Sequence, residues 1–161
     1  MMKKGFFATV LFLVLSVFQL SAQSKKEIKK YSIKCSISTV YEEGKYVNDK
    51  KTTFDKEGNV IEEIEYGKGG EIKSIKRTKY NSEGDEIEEL EYNGVSELEE
   101  RKVYKYNSLG EKVEETIYDG MGKVKKRHVY TYNAQGLKSE KKTYDAAGKY
   151  IASKKFQYEV K

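Results

Sequence analysis

The chain has 161 residues, 35% of them charged and none of them proline, and its 31 lysines and arginines outnumber its 26 acids for a net charge of +5. So small an excess does not call for nucleic acid. One cysteine and one histidine leave no disulfide scaffold and no His/Cys set for a zinc site.

Residues 1–22 read as a secretory signal peptide. Lys3 and Lys4 form a positive start, Gly5 to Leu20 an apolar run, and Leu20-Ser-Ala22 a cleavage site before Gln23. A spanning helix needs about 20 apolar residues, and Ser16 and Gln19 interrupt this run, so no membrane span is expected after removal. A leader ending Ser-Ala-Gln on so short a chain resembles those of small exported proteins of Gram-negative bacteria, which implies the periplasm, cell surface or exterior as the location. Losing Lys3 and Lys4 lowers the net charge to +3.

Beyond the leader, Ile, Leu, Val and Phe number only 25, too few for a thick two-layer core. Fourteen tyrosines supply the missing bulk. One domain over 23–161 is expected, built as a thin, highly charged sheet.

Lys25 to Lys30 reads as a charged lead-in. Tyr31, Ile33, Cys35, Ile37, Thr39 and Tyr41 then alternate with polar residues, the period of a strand. A turn follows at Glu42-Glu-Gly44, and Tyr46 to Phe54 forms the second strand. From there the chain repeats itself. Aromatics at 54, 66, 80, 92, 106, 118, 132, 144 and 158 are spaced alternately by 12 and 14 residues, a 26-residue unit in two unequal halves.

Nearly every aromatic precedes an Asn or Asp and, three residues later, a Gly, as in Tyr104-Lys-Tyr-Asn-Ser-Leu-Gly110 and Thr143-Tyr-Asp-Ala-Ala-Gly148. Asn and Asp bond the backbone two residues on, and Gly takes the left-handed conformation that closes a hairpin loop. Strands are therefore expected over 59–66, 71–80, 85–92, 97–106, 111–118, 123–132, 137–144 and 149–159. The predicted fold is all-β, an antiparallel meander of about ten strands, as a thin single sheet or a partly curled, open barrel. Ser96 stands where a Gly is due, so a different loop is expected there.

A simple three-residue loop makes Arg77 face Glu89, Glu89 face Arg101, and Glu115 face Arg127. It also places every repeat aromatic on one face, with Lys112 and Lys138 lying between them over the rings.

Catalytic signatures are absent: there is no Walker loop, nucleophile elbow or His-Glu-x-x-His. Cys35 and His128 fall on distant strands and read as ordinary strand residues. Glu62-Glu63, Glu88-Glu89 and Glu114-Glu115 recur every 26 residues, which suits cross-strand ion pairs better than a catalytic carboxylate pair. No calcium-loop spacing occurs. No catalytic residue, metal or cofactor is assigned, and the chain is not expected to be an enzyme.

The tyrosine rows are the feature with a functional reading. Exposed rings on a flat sheet stack against sugars or a partner's apolar groups. Tyr104, Tyr106, Tyr130 and Tyr132, in doubled Tyr-x-Tyr sites, are the candidate ligand-binding residues for a glycan or a cell-envelope protein. Lys125-Lys126-Arg127-His128 beside them favours an anionic ligand. Lysines at both ends guard terminal strands that are otherwise open to edge-strand self-association.

The units Tyr-x-Tyr-Asn-x-x-Gly and Tyr-Asp-x-x-Gly, over Phe54 to Tyr158, resemble the tyrosine–aspartate repeats of the RHS type. That resemblance implies strips of β-sheet that build shells or bind carbohydrate, with repeats that are not themselves catalytic. Two readings follow: an exported module that binds through its tyrosine face, and an envelope scaffold with no small ligand.

Overall fold

A computed structural model describes residues 24–159. The expected leader over 1–22 lies outside the described residues. Ten strands follow one short helix, α1 (Lys25–Lys30): β1 (Cys35–Glu42), β2 (Lys45–Phe54), β3 (Val60–Tyr66), β4 (Ile72–Tyr80), β5 (Glu86–Asn93), β6 (Leu98–Tyr106), β7 (Lys112–Asp119), β8 (Val124–Tyr132), β9 (Lys138–Asp145) and β10 (Tyr150–Lys155). They form a single antiparallel sheet in sequence order. Because β1 and β10 sit at opposite ends of that order, the sheet is open and not closed into a barrel.

The lead-in is a helix, a correction that two residues explain. Ser24 and Glu27 form a capping box, with the Glu27 carboxylate accepting from the Ser24 amide at 3.0 Å. Glu27 in the first turn and Lys29 and Lys30 in the last also suit the helix dipole. Ile28, 2% exposed, turns toward the 55–58 hairpin loop. Gly58 admits the helix there, since a Cβ would lie 2.9 Å from the Lys25 carbonyl oxygen. β1 accordingly starts at Cys35 rather than Tyr31.

The repeat turns form as their chemistry requires. In the loop after β6, Asn107 Oδ1 accepts from the amides of Leu109 at 3.0 Å and Glu111 at 2.9 Å, and Asp119, Asn133 and Asp145 repeat the pattern. The loop at 93–97 is no exception. Ser96 takes φ 64, its amide donates to the Asn93 carbonyl at 3.0 Å, and the Gly-built turns have the same bond. The Asn93 side chain holds this loop in the common shape, and Ser96 carries the backbone strain that Gly would not.

A second departure reorders the faces. Past each repeat turn the register slips by one residue. Tyr80 pairs with Glu86, but Lys79 pairs with Glu88, leaving Ile87 as a bulge. Val113 and Ser139 are bulged in the same way after Tyr106 and Tyr132, as are Glu99 and Lys125 after Tyr92 and Tyr118. One extra residue reverses which side every later side chain faces. Phe54, Tyr80, Tyr106, Tyr132 and Tyr158 therefore share one face, and Tyr66, Tyr92, Tyr118 and Tyr144 the other. The expectation of a single aromatic face fails for this reason. We call the two sides the lysine face and the arginine face.

The slip brings the repeat tyrosines of the lysine face, one beside each turn, within reach of a neighbouring backbone. Tyr80, Tyr106, Tyr132 and Tyr158 donate to the carbonyls of Val60, Glu86, Lys112 and Lys138, at 2.8, 2.8, 2.8 and 2.7 Å. Each bond ties the end of one strand to the start of the strand before it. Replacing Ser96 by Gly should remove the left-handed strain and stabilise the protein by about 1 kcal/mol, read as a raised urea midpoint with unchanged slope.

Candidate functional site

The lysine face is easiest to follow as columns of residues 26 apart, one from each repeat. Lys50, Lys76, Lys102, His128 and Lys154 form one column, and Glu63, Glu89, Glu115 and Lys141 the next. In the first three repeats the two columns neutralise each other. Glu63 binds both Lys50 and Lys76, the latter at 2.9 Å. Glu89 binds Lys102 at 2.7 Å and lies 4.0 Å from Lys76. A single exposed pair contributes little, but linked pairs hold one another in place.

Toward β10 the columns change character. Glu115 accepts from the Tyr130 hydroxyl at 2.5 Å, and the next residue in its column is Lys141, a reversal of sign. His128, buried between β7 and β9, replaces lysine at this junction, with Nδ1 3.0 Å from Thr143 Oγ1. Burial first, and Lys141 second, lower its pKa from 6.5, which favours the neutral ring. An ammonium in its place would stand beside Lys141.

The candidate tyrosines gather here. A third column reads Thr52, Thr78, Tyr104, Tyr130 and Phe156, and a fourth Val60, Glu86, Lys112 and Lys138. Tyr104 and Tyr130 are each only 8% exposed. The Lys112 ammonium lies 4.0 Å from the Tyr104 ring centre, and those of Lys138 and Lys141 lie 4.4 and 5.8 Å from that of Tyr130. Such contacts are worth roughly 0.5–2 kcal/mol as the site dries. Burial, then Glu89 and Glu115, raise the Tyr104 pKa; burial and the bond to Glu115 raise that of Tyr130.

Tyr106 and Tyr132 are half-buried, their hydroxyls committed to Glu86 and Lys112 carbonyls. All four candidates thus share one face, with two rings beneath lysines and two half-buried at the turn end. Lys112 covers Tyr104 on the strand before it rather than Tyr130. Lys141 and Lys154 complete the group, and the sign change at 141 is the sequence signal for them.

On the arginine face, Arg77, Arg101 and Arg127 stack over Tyr92, Tyr118 and Tyr144 at 5.3, 5.3 and 4.8 Å. Each also binds a carboxylate, Glu62 at 2.9 Å, Glu88 at 2.6 Å and Glu114 at 3.1 Å. The doubled glutamates are divided between faces and, Glu115 with its Tyr130 bond excepted, are ion-pair residues, and the bulge moves Arg101 from Glu89 to Glu88 and Arg127 from Glu115 to Glu114.

Cys35 on β1 and His128 on β8 lie at opposite parts of the sheet and form no pair. A cleft of about 670 Å³ opens between α1 and the turns at 55–59 and 81–84. Its Asp55 carboxylate already accepts both the backbone amide and the side-chain amide of Asn59, at 2.8 and 2.7 Å. Among the described residues no group of three or more His, Cys, Asp or Glu is placed to hold a metal ion, and no helix is long and apolar enough to cross a membrane.

No protein-family model and no curated protein matches the chain. Solved structures with some likeness include TarM, at 18% identity and a TM-score of 0.33 over 78% of this chain. The matched chain spans 22% of TarM. Another is a protein of unknown function, BF3112 from Bacteroides fragilis NCTC 9343, at 13% identity and a TM-score of 0.42, over 79% of this chain and 96% of that one. Neither likeness is close enough to transfer an activity.

The carboxylates set the pH response. Hydrogen bonds from Lys79 and then Arg101 hold Glu88 below its ordinary 4.5. Lys105, against some burial, and then Arg127 do the same for Glu114. A depressed folded-state pKa gives stability that is present above the unfolded value and lost as pH falls through the folded one. Urea stability should therefore fall below pH 4.5, and fall less steeply in Glu88→Gln and Glu114→Gln variants.

Proposed function

We propose that the protein is an exported, non-enzymatic β-repeat module that binds a glycan or protein partner through the tyrosine-rich lysine face. The observation that carries this reading is the ordered pair of ammoniums, Lys112 over Tyr104 and Lys138 over Tyr130, at 4.0 and 4.4 Å. Among the described residues neither lysine has a carboxylate partner, although lysines of the earlier repeats do. Buried rings fix the lysine stems, so little side-chain freedom is lost when a ligand arrives. Half-exposed Tyr106 and Tyr132 flank them and offer ring surface for stacking. The leader pattern supports export, and the resemblance to tyrosine–aspartate repeats supports a binding role for a strip of sheet.

A second reading, an envelope scaffold with no small ligand, is favoured by the tyrosine-to-carbonyl bonds. They give the hydroxyls of Tyr106 and Tyr132 a structural task.

Alanine at Tyr104 or Tyr130 would damage the fold, so the lysines are the better probe. The purified protein, applied to a glycan array, should bind a defined set of sugars. A Lys112→Ala/Lys138→Ala variant with unchanged circular dichroism should lose roughly tenfold or more in affinity. No binding to any glycan, or equal binding by the variant, would contradict the glycan reading and favour the scaffold.

A further inference from the structure

We propose that the outer edge of β10 receives an extended, acidic strand from a partner protein, which adds to the sheet as its next member. The proposal does not depend on ligand binding at the lysine face.

The repeat itself supplies the reason. Strands β4, β6 and β8 are rich in Lys and Arg, and β3, β5 and β7 in Glu, so within the array a basic strand lies between more acidic neighbours. β10 breaks this rule on both sides. Its inner neighbour presents Lys141 directly opposite Lys154, where the earlier repeats have a Glu beside the lysine. Among the described residues no strand pairs with its outer side, and Lys154 has no acidic partner; its ammonium lies 5.2 Å from the Phe156 ring centre. Two lysines paired across the strands with no carboxylate bound to either among the described residues disfavour the isolated edge, and a carboxylate arriving from outside relieves them.

Apolar surface collects on the same strand. Tyr150 and Ile151 are 52% and 51% exposed, and Tyr158, just beyond, is 47% exposed. An open strand with unpaired amides and carbonyls is a ready acceptor for another extended chain. Its lysines repel a second β10 edge, so they select the partner's charge as well as guarding the edge. β1 of a second copy, Cys35–Glu42, bears no charge before Glu42 and meets this demand poorly.

Pairing within the sheet predicts what would bind. β10 lies three repeats beyond β4, and β4 pairs with β5 through Lys76 to Glu91, Thr78 to Glu89 and Lys79 to Glu88. The same register on β10 would set Glu91 of such a strand opposite Lys154, with its Glu89 opposite Phe156. A synthetic peptide copying residues 85–93 is therefore a direct probe.

Labelled peptide should bind the full-length protein saturably, with amide shifts in NMR spectra concentrated on 150–158. Lys154→Glu, on an exposed side chain, should weaken binding roughly tenfold without altering the fold, and Lys141→Glu restores the repeat's own residue and should weaken it too. Equal affinity for a scrambled peptide of the same composition would reduce the effect to bulk charge and overturn the proposal. So would shifts located away from β10. Concentration-dependent oligomers that exclude the peptide would overturn it in favour of pairing with β1 of another copy.

Discussion

One extra residue after each repeat turn is the constraint from which the rest of the sheet follows. Without it, the 12- and 14-residue spacings would keep every repeat aromatic on a single side and leave the other side without rings from the repeat. With it, successive aromatics go to opposite sides, and both surfaces of a one-layer sheet acquire rings. The bulge also displaces the pairing enough for Tyr80, Tyr106, Tyr132 and Tyr158 to reach carbonyls on the preceding strand. A sheet with so few fully buried residues relies on such sideways bonds. Each is worth about 1 kcal/mol, and here they recur once per repeat.

The two faces then use the same ingredients differently. On the arginine face each guanidinium is shared between a ring and a glutamate, so charge is balanced along its length. On the lysine face ion-pair balance holds from β2 to β6 and is lost toward β9 and β10, where Glu gives way to Lys141, while from β6 onward Thr gives way to Tyr104, Tyr130 and Phe156. His128 marks the boundary, an aromatic ring that burial keeps neutral where a further ammonium would face Lys141. The gradient makes one end of a repetitive sheet chemically distinct from the other. That distinction is the basis both for a ligand at Lys112 and Lys138 and for an acidic strand at β10.

Much of the architecture was legible because turn chemistry is local. Asn or Asp with a Gly three residues on specifies its hairpin almost alone, and the limits of β2 to β9 follow within a residue or two, whereas the end strands, without a second neighbour, are shorter than expected: β1 starts at Cys35 and β10 ends at Lys155 rather than 159. The bulge was not legible. Its positions hold Ile61, Lys73, Ile87, Glu99, Val113, Lys125, Ser139 and Ile151, aliphatic, charged and polar alike, because the shift is imposed by pairing between strands rather than by the bulged residue. The error then spread through parity to the faces and to the partners of Arg101 and Arg127. Ser96 misled in the opposite sense: a missing Gly suggested a new loop, but Asn93 and the flanking strands held the old one at the cost of strain. The candidate tyrosines were placed on one face correctly. Lysine cover over the rings was legible too, but which ring each lysine takes was not: Lys112 lies over Tyr104 and Lys138 over Tyr130, each on the strand before it, a pairing that spacing alone does not encode.

A proton NMR spectrum with through-space contacts tests the face assignment most directly. Lys112 and Lys138 side-chain methylenes should be shifted upfield by the Tyr104 and Tyr130 rings and show contacts to them, with Tyr92 and Tyr118 in contact with Arg77 and Arg101 instead. Methylene shifts at ordinary lysine values, or contacts placing Tyr92 beside Tyr106 on one side, would contradict the account.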